Sequence, residues 1–219
     1  MDVMDRRSSG DQVAAHIRRM VFDGAVRPGD RIRQDDIAAE LGVSRIPVRE
    51  AVIALDREGW VTIEPHRGAF VNGLDPDYVR DHYELFGLLF GLTAARAVNR
   101  ADGAELDEIL ESAAAVEAAT DPALFNTANH ALLRLLTQVA AAPRIASVAR
   151  VMTSIVPGNF FMEVPGALDI QRRGVGSIAV ALRARDSAKA SAEFKTMLGL
   201  QGEAVITLLD KRGLFWAPI

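Results

Sequence analysis

A twelve-residue stretch, LGVSRIPVREAV at positions 41–52, constrains the fold of this chain more than any other segment. Gly42 is a typical end for a short helix, and Ser44 is a typical N-cap for the next one. Pro47 is tolerated because it falls in the first turn of that second helix. The stretch therefore predicts two helices joined by a tight turn, as in a helix–turn–helix.

The segments on either side of this stretch complete a known order of elements. Residues 11–24 have the apolar spacing of a preceding helix, and residues 33–43 that of the short helix that Gly42 closes. The next helix is expected from Ser44 to about Glu58. Two short strands, Val61–Glu64 and Ala69–Val71, are then expected around a turn that contains Pro65 and Gly68. A helix, a helix–turn–helix and a hairpin, in that order, make a winged helix–turn–helix.

The remainder of the chain has helical periodicity rich in Ala and Leu. It is interrupted at Asp102-Gly103, Asp121-Pro122, Ala142-Pro143, Pro157-Gly158, Pro165-Gly166 and Arg185-Asp186. We therefore predict a mainly α protein with two domains. Residues 1–74 form the winged helix–turn–helix with its small β-hairpin wing, and residues 75–219 form an all-α helical bundle.

Composition limits the classes of function. The 219 residues include 25 Lys and Arg against 29 Asp and Glu, and no Cys, so thiolate metal sites and disulfides are excluded. No apolar run approaches the ~20 residues of a membrane span, and the N-terminus lacks a signal-peptide core. We expect a cytoplasmic protein with no membrane partner. The net charge of −4 leaves room for a local basic patch that contacts DNA.

Such a patch is predicted on the helix that begins after Ser44. At 100° per residue, its inward arc consists of Val48, Ala51, Val52 and Leu55. Arg45 and Arg49 lie at the edge of that arc, near the N-terminal end of the helix, which is the end that enters the major groove in helix–turn–helix proteins. The alternative is that both are ordinary solvated arginines.

Other residues are candidate DNA contacts because of their position. Ser44 would contact a phosphate or a base, and Arg33 a phosphate. In the predicted wing, His66, Arg67 and Gly68 would meet the backbone or the minor groove, where a small residue permits close approach. Each of these taken alone is also compatible with an ordinary surface residue.

Two quoted segments, LGVSRIPVREAVIALDREGWV and PHRGAFV, closely resemble the DNA-binding half of GntR-family bacterial transcription regulators. The helical remainder resembles the effector-binding (FCD-type) domain of the FadR-like branch. The resemblance implies a homodimer that binds an inverted-repeat operator in double-stranded DNA. It also implies that a small metabolite, bound in the helical domain, changes the spacing of the two DNA-binding heads.

The helical domain departs from the pattern of that branch, whose members often hold a metal with one Asp and three His. By alignment, Asn126 stands at the Asp position, and His130 matches the first His. Val175 and Met197 stand at the other two His positions, and no His follows His130. One imidazole and one neutral amide make a poor divalent-metal site. We expect no metal and no other cofactor.

The resemblance also suggests an altered effector pocket. Phe86 and Phe90 stand where relatives often carry an inward Arg and Glu. With Val175 and Met197 they would make the pocket largely apolar, suited to an acyl chain or a ring system. Asn126 and His130 would orient such a ligand. Two alternatives stay open. The four apolar side chains could fill this space as a packed core. From periodicity alone, Asn126 and His130 would lie on the solvent-exposed side of their helix.

No pattern in the chain predicts an enzyme. There is no HExxH, no GxSxG between a strand and a helix and no Gly-rich phosphate loop. We expect a transcription regulator, and specifically a repressor, that responds to a small apolar metabolite. The competing hypothesis is a DNA-binding protein whose helical half only dimerises or docks a protein partner.

Overall fold

The structure is a computed structural model that describes residues 8–152 and 155–215. Within these residues the elements are α1 (Ser9–Phe22), α2 (Gln34–Leu41), α3 (Arg45–Arg57), β1 (Val61–Glu64), β2 (Gly68–Val71), α4 (Pro76–Arg100), α5 (Gly103–Ala118), α6 (Pro122–Val139), α7 (Pro143–Val151), α8 (Phe160–Glu163), α9 (Ala167–Arg183) and α10 (Ser187–Lys211). The predicted fold class, mainly α with one small hairpin, is confirmed.

The chain forms two compact units. Of the described residues, the first unit comprises 8–75 and 209–215, and the second comprises those within Pro76–Leu208. The predicted division placed the whole C-terminus with the helical domain. The structure differs there, because the end of α10 and the residues after it pack with the first unit.

Packing within the first unit explains this difference. The Arg212 guanidinium lies 4.3 Å from the centre of the Phe22 ring and 3.8 Å from an Asp23 carboxylate oxygen. Leu214 lies beside Gly24, and Phe215 pairs with Leu74 in an isolated bridge. The last described residues therefore cover the C-terminal end of α1.

The core of the first unit is formed mainly by α1 and α3. Ile17 and Phe22 of α1 and Val48 and Leu55 of α3 are fully buried. Gly42 ends α2 in the left-handed conformation, with φ of 64°, which glycine adopts without steric cost. β1 and β2 pair antiparallel, with Val61 opposite Val71 and Glu64 opposite Gly68. These elements fix the turn before α3 and place the hairpin after it.

The second unit is a bundle in which α5 packs against α6 and α9. Its largest fully buried side chains are Phe125, Phe194, Ile109, Leu132, Leu136, Ile155, Ile178 and Leu182. Two helices begin at the predicted breaks: Asp102 and Glu105 form a reciprocal capping box at α5, and the Asp121 side chain caps α6. In the described ranges, none of the helices is both long enough and apolar enough to cross a membrane.

Candidate nucleic-acid interface and effector site

The first two turns of α3 expose arginines on one side and bury hydrocarbon on the other. Val48 and Val52 are 0% and 2% exposed, whereas the Arg45 side chain is 79% exposed and Arg49 is also exposed. The buried valines hold the helix against the unit, so its outer face cannot rotate inward. The two arginines thus extend from a rigid support, as a recognition helix requires.

Ser44 lies at the N-cap of α3, as predicted, but its hydroxyl makes no capping hydrogen bond. The residue is extended, with φ of −73° and ψ of 169°, and exposed. The first N–H groups of a helix lack intrahelical acceptors and carry partial positive charge. The start of α3 therefore presents hydrogen-bond donors together with Arg45, an arrangement suited to a phosphate.

Three of the candidate arginines pair with surface carboxylates. Arg45 Nε lies 2.7 Å from Asp35 Oδ1, and Arg67 bonds Glu64. A third pair joins Arg33 Nη1 to Asp36 Oδ2 at 3.9 Å. Exposed pairs of this kind contribute only about 0–1 kcal/mol, so exchanging a carboxylate for a phosphate costs little.

Arg49 differs from these three arginines, because no ion pair with it is found within residues 8–152 and 155–215. It lines a shallow groove of about 200 Å³ between α3 and the hairpin. The other lining residues are Gln34, Val52, Ile53, Ile63, Gly68 and Ala69. Arg49 is therefore the candidate whose guanidinium is available without first breaking a described ion pair.

The hairpin turn has the backbone that its sequence predicts. His66 and Gly68 have positive φ angles, 62° and 115°. The φ at Gly68 is one that residues with a side chain rarely adopt, and a Cβ added there would lie 2.7 Å from Arg31 Nε, so the Arg31 guanidinium packs directly over this glycine. Arg67 lies over the Phe70 ring at 5.5 Å. The predicted wing residues are brought together, and Arg31 joins them through its bridge to Phe70.

Two residues of this surface were not among the DNA-contact candidates predicted from the sequence. Arg31 precedes α2 in a loop, and only the pairing of that loop with β2 brings it to the wing. Ile46 is 69% exposed on the first turn of α3, between the two arginines. Ile46 lies on α3 opposite the inward arc of Val48, Ala51, Val52 and Leu55, and that position is the signal in the sequence that predicts its exposure.

In the second unit, two of the predicted effector residues belong to the packed core. Val175 is 1% exposed and Met197 is 2% exposed. A Cβ added at Gly174 would lie 2.4 Å from the Met197 sulfur, so Met197 occupies the space beside that glycine. A ligand could reach these positions only if the core opened. The geometry is that of the filled-core alternative.

Phe86 and Phe90 are half-buried and lie in an aromatic row. Their rings stack at 5.8 Å, and Phe90 stacks in turn on Phe194 at 6.2 Å. The His82 ring meets Phe86 edge-on at 4.7 Å, and burial lowers the pKa of His82 to about 4. His82 Nε2 is buried without a hydrogen-bond partner in the described residues. Because the surroundings of His82 are apolar, the neutral form of its imidazole is favoured over the charged form.

Asn126 is half-buried and His130 is exposed on α6. Partial burial and the charge of Arg134 lower the pKa of His130. With Val175 and Met197 at the remaining positions, these residues do not fit a divalent metal, because valine offers no donor and the soft Met197 thioether is a weak ligand for such an ion. Among the described residues, no cluster of three or more His, Asp or Glu side chains is placed to hold one.

The polar residues that are buried in the second unit are different ones. Gln171 Nε2 donates to Asn129 Oδ1 at 2.7 Å, and Gln201 Nε2 donates to the Ala167 carbonyl at 2.9 Å. Gln201 Oε1 is buried without a partner in the described chain. Sequence periodicity missed this amide cluster because polar residues at core positions look like a solvated helix face.

Comparison with protein families matches both units. Residues 9–71 match the family described as bacterial regulatory proteins, gntR family, and residues 81–199 match the FCD domain. The second match alone covers more than half of the chain.

Individual relatives agree with these matches. An uncharacterized HTH-type transcriptional regulator of Mycobacterium tuberculosis is 33% identical over 162 residues, 73% of this chain and 65% of that protein. The aligned stretch therefore spans slightly less than two thirds of that relative. An HTH-type transcriptional repressor of Escherichia coli is 34% identical over 70 residues, 32% of this chain and 31% of that protein.

Solved structures show the same fold over nearly the whole chain. A putative GntR transcriptional regulator from a Rhodococcus species has a TM-score of 0.55 and 25% identity, covering 92% of this chain and 99% of that one. The Escherichia coli protein McbR/YncC has a TM-score of 0.60 and 18% identity, covering 94% and 99%. The chain therefore belongs to the gntR family of bacterial transcription regulators and carries an FCD domain, so it is not an enzyme.

Proposed function

We propose that this regulator acts in the cytoplasm as a homodimeric repressor that binds an inverted-repeat operator through α3 and the wing. The observation that carries the proposal is the face of α3: Arg45 and Arg49 are exposed above Val48 and Val52, which are buried. A protein with two-fold symmetry presents two such helices to two half-sites. Repression is favoured by the relative in Escherichia coli that is named a repressor.

Arg49 reads a base in this proposal. Its guanidinium is planar and can donate two hydrogen bonds to O6 and N7 of guanine in the major groove. Arg45 exchanges Asp35 for a phosphate, and the Ser44 hydroxyl and the first N–H groups of α3 bind the same strand. Ile46 then faces the groove, where an exposed aliphatic side chain contacts a thymine methyl group.

The wing contributes contacts beside the major groove. Arg67 exchanges Glu64 for a phosphate, and Arg31 adds a second cation next to it. Gly68 lets the turn approach the DNA backbone, and His66 lies at its tip. Arg33, paired loosely with Asp36, supplies a more distant phosphate contact.

The test uses the full chain and an operator selected in vitro from random duplexes. Arg49→Ala should weaken operator binding at least about 100-fold, because each two-fold complex loses its guanine contact twice. Arg57→Ala, at the opposite end of the same helix, is the matched control and should bind like the wild type. Wild-type affinity in Arg49→Ala, measured by fluorescence anisotropy, would refute the assignment of α3.

For the second unit we propose a metal-free effector with substantial apolar surface. The support is the apolar row of Phe86, Phe90 and Phe194, together with Val175 and Met197, which supply neither a carboxylate nor an imidazole to a metal. The half-buried Asn126 and the exposed His130 would orient a ligand at the edge of α6. Ligand binding shifts the equilibrium between two arrangements of the DNA-binding heads only as far as the ligand's affinities for these arrangements differ.

One observation favours a second candidate, in which the helical unit dimerises and senses nothing. Val175 and Met197 are buried in the core, and Met197 fills the space beside Gly174. Native mass spectrometry of the purified protein, compared with its denatured mass, separates the two candidates. An organic adduct supports the apolar sensor, whereas a dimer without any adduct after gentle purification favours the second candidate.

A further inference from the structure

The chain passes between the two units twice, and a backbone bridge joins residues next to the two crossings. The first crossing is at positions 75–76, and the second is at positions 208–209, inside α10. Leu74, just before the first crossing, forms a parallel bridge with Phe215, which follows the second. Helix α10 is therefore a continuous part of both units, and its end is paired with the other connection.

The end of α10 is a turn that directs the chain onto the first unit. Gly213 has a φ of 67°, and its N–H donates to the Asp210 carbonyl at 2.9 Å. The Leu214 N–H donates to the Leu209 carbonyl at 3.0 Å. These two bonds form a Schellman motif, which ends a helix and turns the chain away from its axis. The turn places Leu214 beside Gly24, the second residue after α1.

Arg212 fastens this turn to the end of α1. Its guanidinium lies 4.3 Å from the centre of the buried Phe22 ring and 3.8 Å from Oδ1 of Asp23, the C-cap of α1. The ring face and the carboxylate both attract the cation. Arg212, Leu214 and Phe215 are named here the C-terminal tie. Because α1 packs against α3, the tie holds the helix that supports the recognition helix.

Another part of α10 is held inside the second unit by Gln201. The Gln201 Nε2 donates to the Ala167 carbonyl at 2.9 Å and to Gln171 Oε1 at 3.3 Å. Gln201 is 1% exposed, and its Oε1 has no hydrogen-bond partner in the described chain. A donor brought to a buried, unpaired oxygen gains more than one brought to an oxygen that is already paired. Gln201 is therefore a point at which a bound group changes the forces on α10.

We infer that the C-terminal tie transmits changes at Gln201 to the DNA-binding head along α10. About three turns of continuous helix separate Gln201 from Arg212. A helix with intact backbone hydrogen bonds moves as a rigid element, so a shift at Gln201 also displaces its end. The tie passes that displacement to α1. The inference rests on the proposed control of DNA binding by a ligand and adds the route by which that control reaches the head.

The test is a double-mutant cycle on the full chain, measured as the dissociation constant for the selected operator by fluorescence anisotropy. Gln201→Leu removes the hydrogen bonds of Gln201 to α9 and should shift this constant about fivefold or more. In the background Arg212→Ala/Leu214→Ala the same change should shift it less than about twofold, because non-additivity measures the coupling. Gln138→Leu, at an exposed position of α6, is the matched control and should shift the constant in neither background.

A conservative variant distinguishes a broken tie from a damaged head. Arg212→Lys/Leu214→Met keeps a cation and a large apolar side chain at the same two positions. In that background Gln201→Leu should again shift the dissociation constant about fivefold. A tie with a purely structural role would lower operator affinity when it is broken, but the effect of Gln201→Leu would then be the same in all three backgrounds.

Hydrogen exchange shows where the broken tie acts. In Arg212→Ala/Leu214→Ala, exchange should be faster in the last turn of α10 and at the end of α1, and unchanged in α5 and α6. Arg183→Ala removes another exposed arginine from the last turn of a helix, that of α9, and should leave exchange at both places unchanged. Unchanged exchange at the end of α1 in the tie variant would contradict the contacts of Arg212 and Leu214.

The possible failures are distinguishable. Equal effects of Gln201→Leu with an intact and a broken tie would overturn the tie as the route and leave the proposed function in place. No effect of Gln201→Leu on a wild-type tie would overturn the inference in the same way. A wild-type chain that selects no operator from random duplexes would overturn the proposed function and this inference together. A shift that is lost with the broken tie and kept with the conservative one is the expected result.

Discussion

The two units of this chain differ in where their polar side chains lie. The first keeps its functional charges on the surface: Arg45 is 79% exposed, and its partner Asp35 is exposed as well. The second encloses Asn129, Gln171 and Gln201, which are 7%, 5% and 1% exposed, without any charged residue among them. Exposed charges suit a polyanion in solvent, whereas buried neutral amides suit a core that carries no metal. The difference suggests which measurements separate DNA recognition from effector recognition.

The largest effect is expected in the core of the second unit. Met197→Ala should lower the free energy of unfolding by about 2–5 kcal/mol, because it removes a buried side chain and leaves a cavity. His130→Ala, at an exposed position of α6, should change it by less than about 0.5 kcal/mol. Urea titrations measure both. Equal, small effects would mean that Met197 lines open space rather than filling a core.

A pH dependence is expected from the aromatic row. Burial lowers the pKa of His82 from 6.5 to about 4, so the fold favours the neutral ring. Between these two pH values the unfolded chain binds a proton that the folded chain does not, so stability falls as pH falls from 6.5 to 4. The loss reaches about 3 kcal/mol at most. Above pH 6.5 this contribution is fully present and constant.

The variant His82→Phe isolates that contribution. It should flatten the fall in unfolding free energy between pH 6.5 and 4, measured by urea titration at several pH values. The remaining slope reports the other titrating groups, including His130, whose pKa is also lowered. An unchanged slope in His82→Phe would contradict the burial of a neutral imidazole in the row.

A smaller effect is expected at the ion pair that covers the start of α3. Asp35→Asn removes the carboxylate that competes with phosphate for Arg45, so affinity for random-sequence DNA should rise about two- to fivefold. The change should shrink as salt is added, because phosphate contacts release counterions. Asp107→Asn on α5 is the control. A fall in affinity for Asp35→Asn would mean that Asp35 positions Arg45 rather than competing for it.

The smallest effect is expected from metal removal. Dialysis against a chelator should leave the melting temperature of the protein unchanged, because Val175 offers no ligand atom and the soft thioether of Met197 is buried in the core. Elemental analysis of the undialysed protein should find no stoichiometric divalent metal. A lowered melting temperature that zinc restores would contradict the packing at these two positions.

The first unit could be predicted closely from sequence because its signals are local. Gly42 needs a left-handed backbone, Gly68 needs a positive φ, and the observed helix and strand ends lie within about two residues of the predicted ones. Arg31 was missed because its approach to Gly68 depends on a loop that pairs with β2. That pairing is a tertiary contact with no pattern of its own.

The helices of the second unit could be predicted from sequence, but the side chains that its interior encloses could not. On α6, Asn126, Asn129 and His130 lie within one turn, and only packing decides that Asn129 is buried and His130 exposed. Gln171 and Gln201 come together from α9 and α10, which periodicity treats separately. The segment after Leu209 continues a helix, and a continuing helix does not reveal which unit its end will pack with.

The most direct test of the proposed DNA recognition is hydrogen–deuterium exchange of the full chain, with and without its selected operator duplex. We expect slower exchange at the start of α3 and in the wing, where the N–H groups and Gly68 meet DNA. We expect little change in the exchange of α5 and α6. Protection confined to the second unit, with α3 and the wing unaffected, would contradict the assignment of the first unit as the DNA-binding head.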